Sequence, residues 1–178
     1  MTMIDFARNH FELFGLPERY RFDAAVLDRA YHALQSEVHP DRYAAASETE
    51  QRLALQSSAR VNEAYRALKD PVARAQYLLS LHGVDAFDET DTALPLDFLE
   101  RQLERREIAD TAMVDGDALA LEALLHEVRV EARELEQRVS SLLDVDGAWD
   151  AARVSVRELR FLAKLAADID AMLAAGEV

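Results

Sequence analysis

The tripeptide His39–Pro40–Asp41 lies within "ALQSEVHPDRYAAASETEQR", where one apolar-periodic segment has to stop and another begin. A histidine and a carboxylate in that position admit four readings: an acid/base pair, half of a metal site, two helix caps, or a surface shown to another protein. Catalysis is poorly served, because rigid Pro40 and an interhelix loop leave both side chains in water, where an imidazole gains little as a catalyst. No serine or lysine nucleophile motif, Gly-rich phosphate loop or carboxylate cluster accompanies them. The other histidines, His10, His32, His82 and His126, show no spacing that converges on one metal. Cysteine is absent, which excludes disulfides, thiolate zinc sites and thiol nucleophiles. No catalytic residue, metal site or cofactor is therefore expected. Capping fits better: Pro40 stops a helix, His39 near its C-terminus suits the dipole, and Asp41 can bond nearby amides. That accounts for such residues being tolerated there and leaves their neighbours unexplained.

The elements that hold the tripeptide are legible from breakers and periodicity. Asp23 is a plausible N-cap for a helix over 24–38, with Val26, Leu27, Ala30, Tyr31, Leu34 and Val38 on one face. Pro40 pushes His39 out of the helical region. Ser47 followed by Glu50 is a capping-box pattern opening a second helix, striped by Leu53, Ala54, Ser57, Val61, Ala64, Tyr65 and Leu68 and ending at Lys69–Asp70. Pro71 suits the first turn of a further helix that stops at Gly83. Two long helices joined by a short loop should lie antiparallel, with the tripeptide at the hairpin tip. Residues 83–94 lack periodicity and read as a linker. Beyond them, helices are expected over about 95–114, 117–144 and 147–174, making a three-helix bundle.

Composition agrees. Only 5 Gly and 4 Pro occur in 178 residues, half of them apolar, which marks an all-α protein with a real core. No apolar run is long enough to span a bilayer, and "MTMIDFARNHF" lacks a basic then apolar leader, so a soluble, cytoplasmic protein is expected. Residues 1–82 hold 10 Lys+Arg against 11 Asp+Glu, whereas residues 83–178 hold 10 against 23. So acidic a second half repels phosphate backbones, and neither nucleic acid nor a membrane is an expected partner.

Over residues 9–80 the segments "FELFGLPERY", "LDRAYHALQSEVHPDRY" and "ARVNEAYRALKDPVARAQYLL" resemble the J-domain co-chaperones. The resemblance implies that His39, Pro40 and Asp41 dock on a DnaK-type chaperone ATPase and trigger ATP hydrolysis, with Asp41 pairing with an arginine of that ATPase. It adds Arg29, His32 and Arg42 as basic residues that steer docking. Asp28, Ala33 and Glu37 stand at positions often basic in general J-proteins, which suggests a weakly charged docking face and a dedicated ATPase partner.

The second half carries neither a Gly/Phe-rich segment nor CxxCxGxG repeats. Its "RAQYLLSLHG", "FLERQLERREIAD" and "WDAARVSVRELRFLAKL" resemble the HscB-type co-chaperones of bacterial iron–sulfur cluster assembly over nearly the whole chain. That implies an N-terminal J-domain (1–82), a linker (83–94) and a client-binding three-helix bundle (95–178), with the ATPase HscA and the scaffold protein IscU as partners. At about 100° per residue, Leu96, Leu99 and Leu103 fall on a different side of their helix from Phe98, Ala109 and Ala112, and Phe161 falls off the stripe of Val156, Leu159, Leu162 and Ala166. Helical leucines usually pack in a core, and periodicity alone favours that reading. The resemblance favours the other, a client patch of Leu96, Leu99, Leu103 and Phe161 edged by Glu104, Arg106 and Glu107. Glu100 stands where the family can have Met, which makes the patch smaller and more acidic. A J-domain co-chaperone acting on a different client is the alternative.

Overall fold

The computed structural model describes residues 4–88 and 94–176, and among these there are helices and turns but no strand. The middle of the expected linker, 89–93, lies outside the described residues. In chain order the α-helices are α1 (His10–Leu13), α2 (Ala24–Val38), α3 (Glu48–Lys69), α4 (Pro71–Leu81), α5 (Leu96–Asp115), α6 (Ala118–Ser141) and α7 (Trp149–Gly176). The all-α architecture expected from composition is the architecture found. The chain divides into two compact units, Met1–Leu78 and Leu79–Val178.

Caps set most boundaries. The Asn9 side chain accepts from the Glu12 amide while Glu12 bonds back to the Asn9 amide, opening α1 with a capping box. Asp23 caps α2 through the Ala25 amide at 2.9 Å. Ser47 and Glu50 form the reciprocal pair anticipated for α3. Asp70 accepts from the Ala73 amide at 2.7 Å at the start of α4, where Pro71 needs no partner for a missing N–H.

In the first unit α2 and α3 are antiparallel. Asp28 meets Tyr65 and Lys69, Tyr31 meets Asn62 and Tyr65, and Gln35 meets Ser58 and Asn62, so partners on α3 descend as positions on α2 ascend. Tyr31 and Tyr65 stack at 4.0 Å. Leu27, Val61, Ala64 and Leu68 are sealed between these helices and Phe11. The Arg74 guanidinium sits 4.8 Å over Tyr20 and 4.9 Å over Phe22 while donating to the Leu68 carbonyl, which seats α4 on the unit.

In the second unit α5, α6 and α7 pack on one another around Phe98, Val128, Val139, Val156, Leu159, Leu162 and Ile169. Gly116, at φ 67°, closes α5 in the left-handed region and lets α6 turn back at once. The expected 117–144 helix is an α-helix only to Ser141. Leu142–Asp146 widens into a π turn that ends at Gly147, φ 60°, which places the start of α7 at Trp149 and not at 147. Within this unit Trp149, at the start of α7, stacks on His82 at 3.6 Å.

Candidate functional site

Two surfaces carry the sequence-predicted residues, one in each unit. At the hairpin tip, buried Val38 anchors the last turn of α2, and Pro40 forces His39 into extended backbone at φ −60°, ψ 128°. A 3₁₀ turn over Pro40–Tyr43 follows. His39 Nδ1 accepts from the Asp41 amide at 3.3 Å and lies 3.6 Å from Asp41 Oδ2, so that nitrogen faces its own loop. The Asp41 side chain is 89 % exposed and His39 about half exposed. Arg42 donates to the Ser36 carbonyl at 2.9 Å and Tyr43 to the Glu37 carbonyl at 3.1 Å, so the loop itself satisfies carbonyls that the end of α2 leaves open. Arg42 is therefore a strut of the tip as well as a charge on it. Arg29 and His32 are exposed on α2, roughly 15 and 10 Å back from the tip by helical rise. Ala33 and Glu37 are also exposed.

The local chemistry is that of a rigid display. Asp41 offers a largely exposed carboxylate to a donor fork from outside, a group that suits bidentate arginine pairing. His39 and Asp41 line neither of the two pockets described below, and among the described residues no group of three His, Asp or Glu side chains converges as metal ligands would. Asp28, noted in the sequence for breaking a basic pattern, is engaged in the fold. Its carboxylate receives Lys69 Nζ at 2.7 Å and Tyr65 Oη at 3.0 Å, bonds that hold its pKa below the usual aspartate value. Both partners lie about forty residues away, a pairing no local pattern announces.

On the bundle, α5 is divided as its periodicity suggests. Phe98, Gln102, Ala109 and Ala112 are buried, whereas Leu96 is 71 % and Leu103 67 % exposed, with Leu99 between. Phe161 of α7 is 47 % exposed and meets Phe98 edge to face, ring centroids 6.2 Å apart. Leu99, Leu103 and Phe161 come together at an open, largely apolar pocket of about 630 Å³. Arg106 lines this pocket. Glu104 and Glu107 are exposed and line a separate depression with Ile108, Asp115 and Asp117, so the expected edge is split, base on one flank and acid on the other. Leu96 is exposed one turn before Leu99 and is not among the pocket's lining residues.

Sequence reasoning did not single out Gln102, Arg160, Lys164 or Leu165, which also line the pocket. Lys164 and Leu165 follow Phe161 at three and four residues, a helical-neighbour signal that was available. Arg157 is 6 % exposed and donates from Nε to the Ala86 carbonyl at 2.6 Å, fixing the segment after α4 against α7. Burial raises the carboxyl pKa of Glu158 on the same helix.

A DnaJ-domain family model matches residues 9–77, and the model described as the HscB C-terminal oligomerisation domain matches residues 94–170. A co-chaperone protein HscB homolog from Burkholderia multivorans is 46 % identical over 96 % of this chain and 97 % of its own. The chain belongs to the HscB co-chaperone family. Among solved structures, the chaperone HscB from Vibrio cholerae is 37 % identical with a TM-score of 0.82, covering 92 % of this chain and 96 % of that one. The human co-chaperone protein HscB gives 0.87 at 29 % identity, covering 94 % and 83 %. The exposed tripeptide thus belongs to a J-domain, and Leu99, Leu103 and Phe161 fall within the residues that the HscB C-terminal model matches. No helix among the described residues is long and apolar enough to cross a membrane.

Proposed function

We propose that this chain is a non-enzymatic co-chaperone of the cytoplasm that brings the scaffold protein IscU to the DnaK-type chaperone HscA and stimulates its ATPase during iron–sulfur cluster assembly. The J-domain, residues 1–82, engages the ATPase through His39, Pro40 and Asp41, with Arg29, His32 and Arg42 as supporting charge. Residues 83–94 join it to the bundle, 95–178. The bundle holds the client on Leu96, Leu99, Leu103 and Phe161, edged by Glu104, Arg106 and Glu107.

One observation carries the client half of this reading: three large apolar side chains, Leu96, Leu103 and Phe161, are about half or more exposed within one short stretch of the bundle, beside a concave apolar pocket. A patch of that kind on a chain rich in acids marks a protein-binding surface. The gain from putting both surfaces on one chain is effective concentration, since the molecule that triggers hydrolysis also carries the client to it.

The test is the steady-state ATPase rate of HscA with this protein and IscU, separately and together, wild type beside His39→Gln. Expected is synergy that His39→Gln abolishes while IscU binding and the helical fold persist. Stimulation that IscU leaves unchanged would favour the alternative, a J-domain co-chaperone for another client. A reaction performed by the chain alone and lost with His39 would overturn the non-enzymatic reading.

A further inference from the structure

The three helices of the bundle are not held alike. α6 and α7 pack along their lengths on buried Leu, Val and Ile side chains. α5 meets them less extensively, and of its four buried side chains only Phe98 is large and apolar, the others being Gln102, Ala109 and Ala112. Yet α5 carries most of the exposed apolar face, so its setting on the other two helices matters more than its grip on them suggests.

A second large attachment of α5 is ionic. Arg105, two turns after Phe98 and on the same side of the helix, places Nη2 2.6 Å from Glu131 Oε2 of α6, with both side chains largely buried. Arg101 lies 3.9 Å from the other oxygen of Glu131 and closer, at 3.1 Å, to Asp97 of its own helix. Glu158 of α7 and Arg138 of α6 face the same group of charges. The remaining terminal nitrogen of Arg105, Nη1, is buried without a hydrogen-bond partner among the described residues. Glu131 therefore balances a largely buried guanidinium, and taking away one member of such a pair leaves the other charge uncompensated.

Leu99 and Leu103 lie roughly 100–160° round α5 from Phe98 and Arg105, so the anchored side fixes where they point. With side chains about 5–6 Å from the helix axis, a rotation of about 20° would carry them about 2 Å. Resting on the client reading above, we infer that Arg105 and Glu131 are positioning residues for client binding. The ion pair fixes the rotation of α5 on α6, and thereby the placing of Leu99 and Leu103 against Phe161. Neither member of the pair lines the apolar pocket, and both act through the helix without touching the client.

The experiment is calorimetric titration of the full-length chain with purified IscU, well below the melting temperature of each variant. Leu103→Ala with Phe161→Ala tests the client reading, and Arg105→Leu, Glu131→Leu and the double leucine variant test the inference. Expected is a loss of roughly tenfold in affinity for each single change, within the range for residues coupled in one network. The double variant should recover to within about threefold of wild type, because a buried ion pair can be exchanged for apolar residues at little cost. Glu131→Gln, which keeps an acceptor for Arg105, replaces Glu131→Leu if that variant does not fold. The two single changes shift net charge in opposite directions, so opposite changes in affinity would mean steering by charge. A double variant as weak as the singles would mean direct contact with the client. Either result overturns the inference. The chain has no cysteine, so nitroxides on Asp110→Cys of α5 and Glu134→Cys of α6, both exposed positions, report the spacing of these helices directly. The distance distribution should broaden in each single variant and narrow again in the double, and a distribution that the single changes leave as in wild type would also overturn the inference. If the patch variant fails to bind while both single variants bind as wild type, the client reading stands and this inference falls. If the patch variant binds as wild type, the client reading falls and the inference with it.

Discussion

Phe98→Ala and Phe161→Ala remove the same ring from the two sides of one edge-to-face contact, and burial separates their costs. Phe98 is 1 % exposed, so its truncation loses the full transfer energy and leaves a cavity, about 3–5 kcal/mol. Phe161 is 47 % exposed, so about half of the ~1.5–3 kcal/mol for burying a Phe is at stake, with little added for a cavity that already opens to solvent. Its truncation should cost roughly 1–2 kcal/mol. The ring pair accounts for about 0.5–1.5 kcal/mol of both values, so the double variant should fall short of additivity by that amount. Trp149, the single tryptophan, lies in the second unit and reports that unit's urea transition directly. In IscU titrations the order should invert, with Phe161→Ala losing binding and Phe98→Ala, where folded, keeping most of it. Equal destabilisation by the two variants would make Phe161 a core residue, and unimpaired binding by Phe161→Ala would remove it from the client surface. Either result refutes the patch.

His10 is buried, stacked on Tyr77 at 4.0 Å, and its pKa is lowered from 6.5 chiefly by burial and then by the positive charge of Arg60, with Glu63 opposing. Between 6.5 and the lower folded value the unfolded chain binds a proton that the folded chain does not, so stability falls as pH drops through that window and levels off below it. His10→Phe keeps a ring against Tyr77 and should flatten the difference in urea stability of the J-domain between about pH 7.5 and about pH 5.5; an unchanged slope would exclude His10 as its source. Asp28→Asn and Lys69→Ala should each lower the J-domain melting temperature, with the double variant little worse than either single one. The Asp28 contribution is present above its unfolded pKa of 3.8 and is lost as pH falls through the lower folded value. Additive losses would mean that the two side chains do not act as a pair.

What could be read in advance was local. Ser47 with Glu50, Asp23, Pro71 and Gly116 act through bonds or backbone angles within four residues, so their types and spacing sufficed to mark the starts of α2, α3 and α4 and the break between α5 and α6. That Leu96 and Leu103 fall on a different side of α5 from Phe98 followed from helical period, but period alone favoured burying the leucines, and their exposure was anticipated only through the family resemblance. Non-local pairing was out of reach. Asp28 looked like a mere departure from a basic pattern because Tyr65 and Lys69 reach it only once α2 and α3 lie antiparallel. Gln102 drew no notice because nothing in "ERQLERRE" distinguishes a solvated glutamine from one turned into a pocket that Phe161 and Lys164 complete from α7. The π turn at Leu142–Asp146 has no composition of its own, and only Gly147 after it marks where the widened turn must end.

Charge distribution on the bundle leads to a kinetic consequence that separates its two roles. A half carrying 23 acids against 10 bases repels an acidic client segment at long range, whereas Arg106, Arg160 and Lys164 attract it only close to the pocket. Salt screens the first interaction more fully than the second, because the Debye length at physiological ionic strength is about 8 Å and direct contacts lie well inside it. Association with IscU should therefore slow little, or quicken, as salt rises, and the loss of affinity should appear as faster dissociation. In an Arg160→Glu/Lys164→Glu variant the short-range attraction is replaced by repulsion, so dissociation should slow as salt rises while association still quickens. Stopped-flow measurement of both rates across a salt series decides the matter. A wild-type association rate that falls steeply with salt would mean that the client approaches through a basic region, and the acidic faces of α5, not the pocket rim, would then be the surface that steers it.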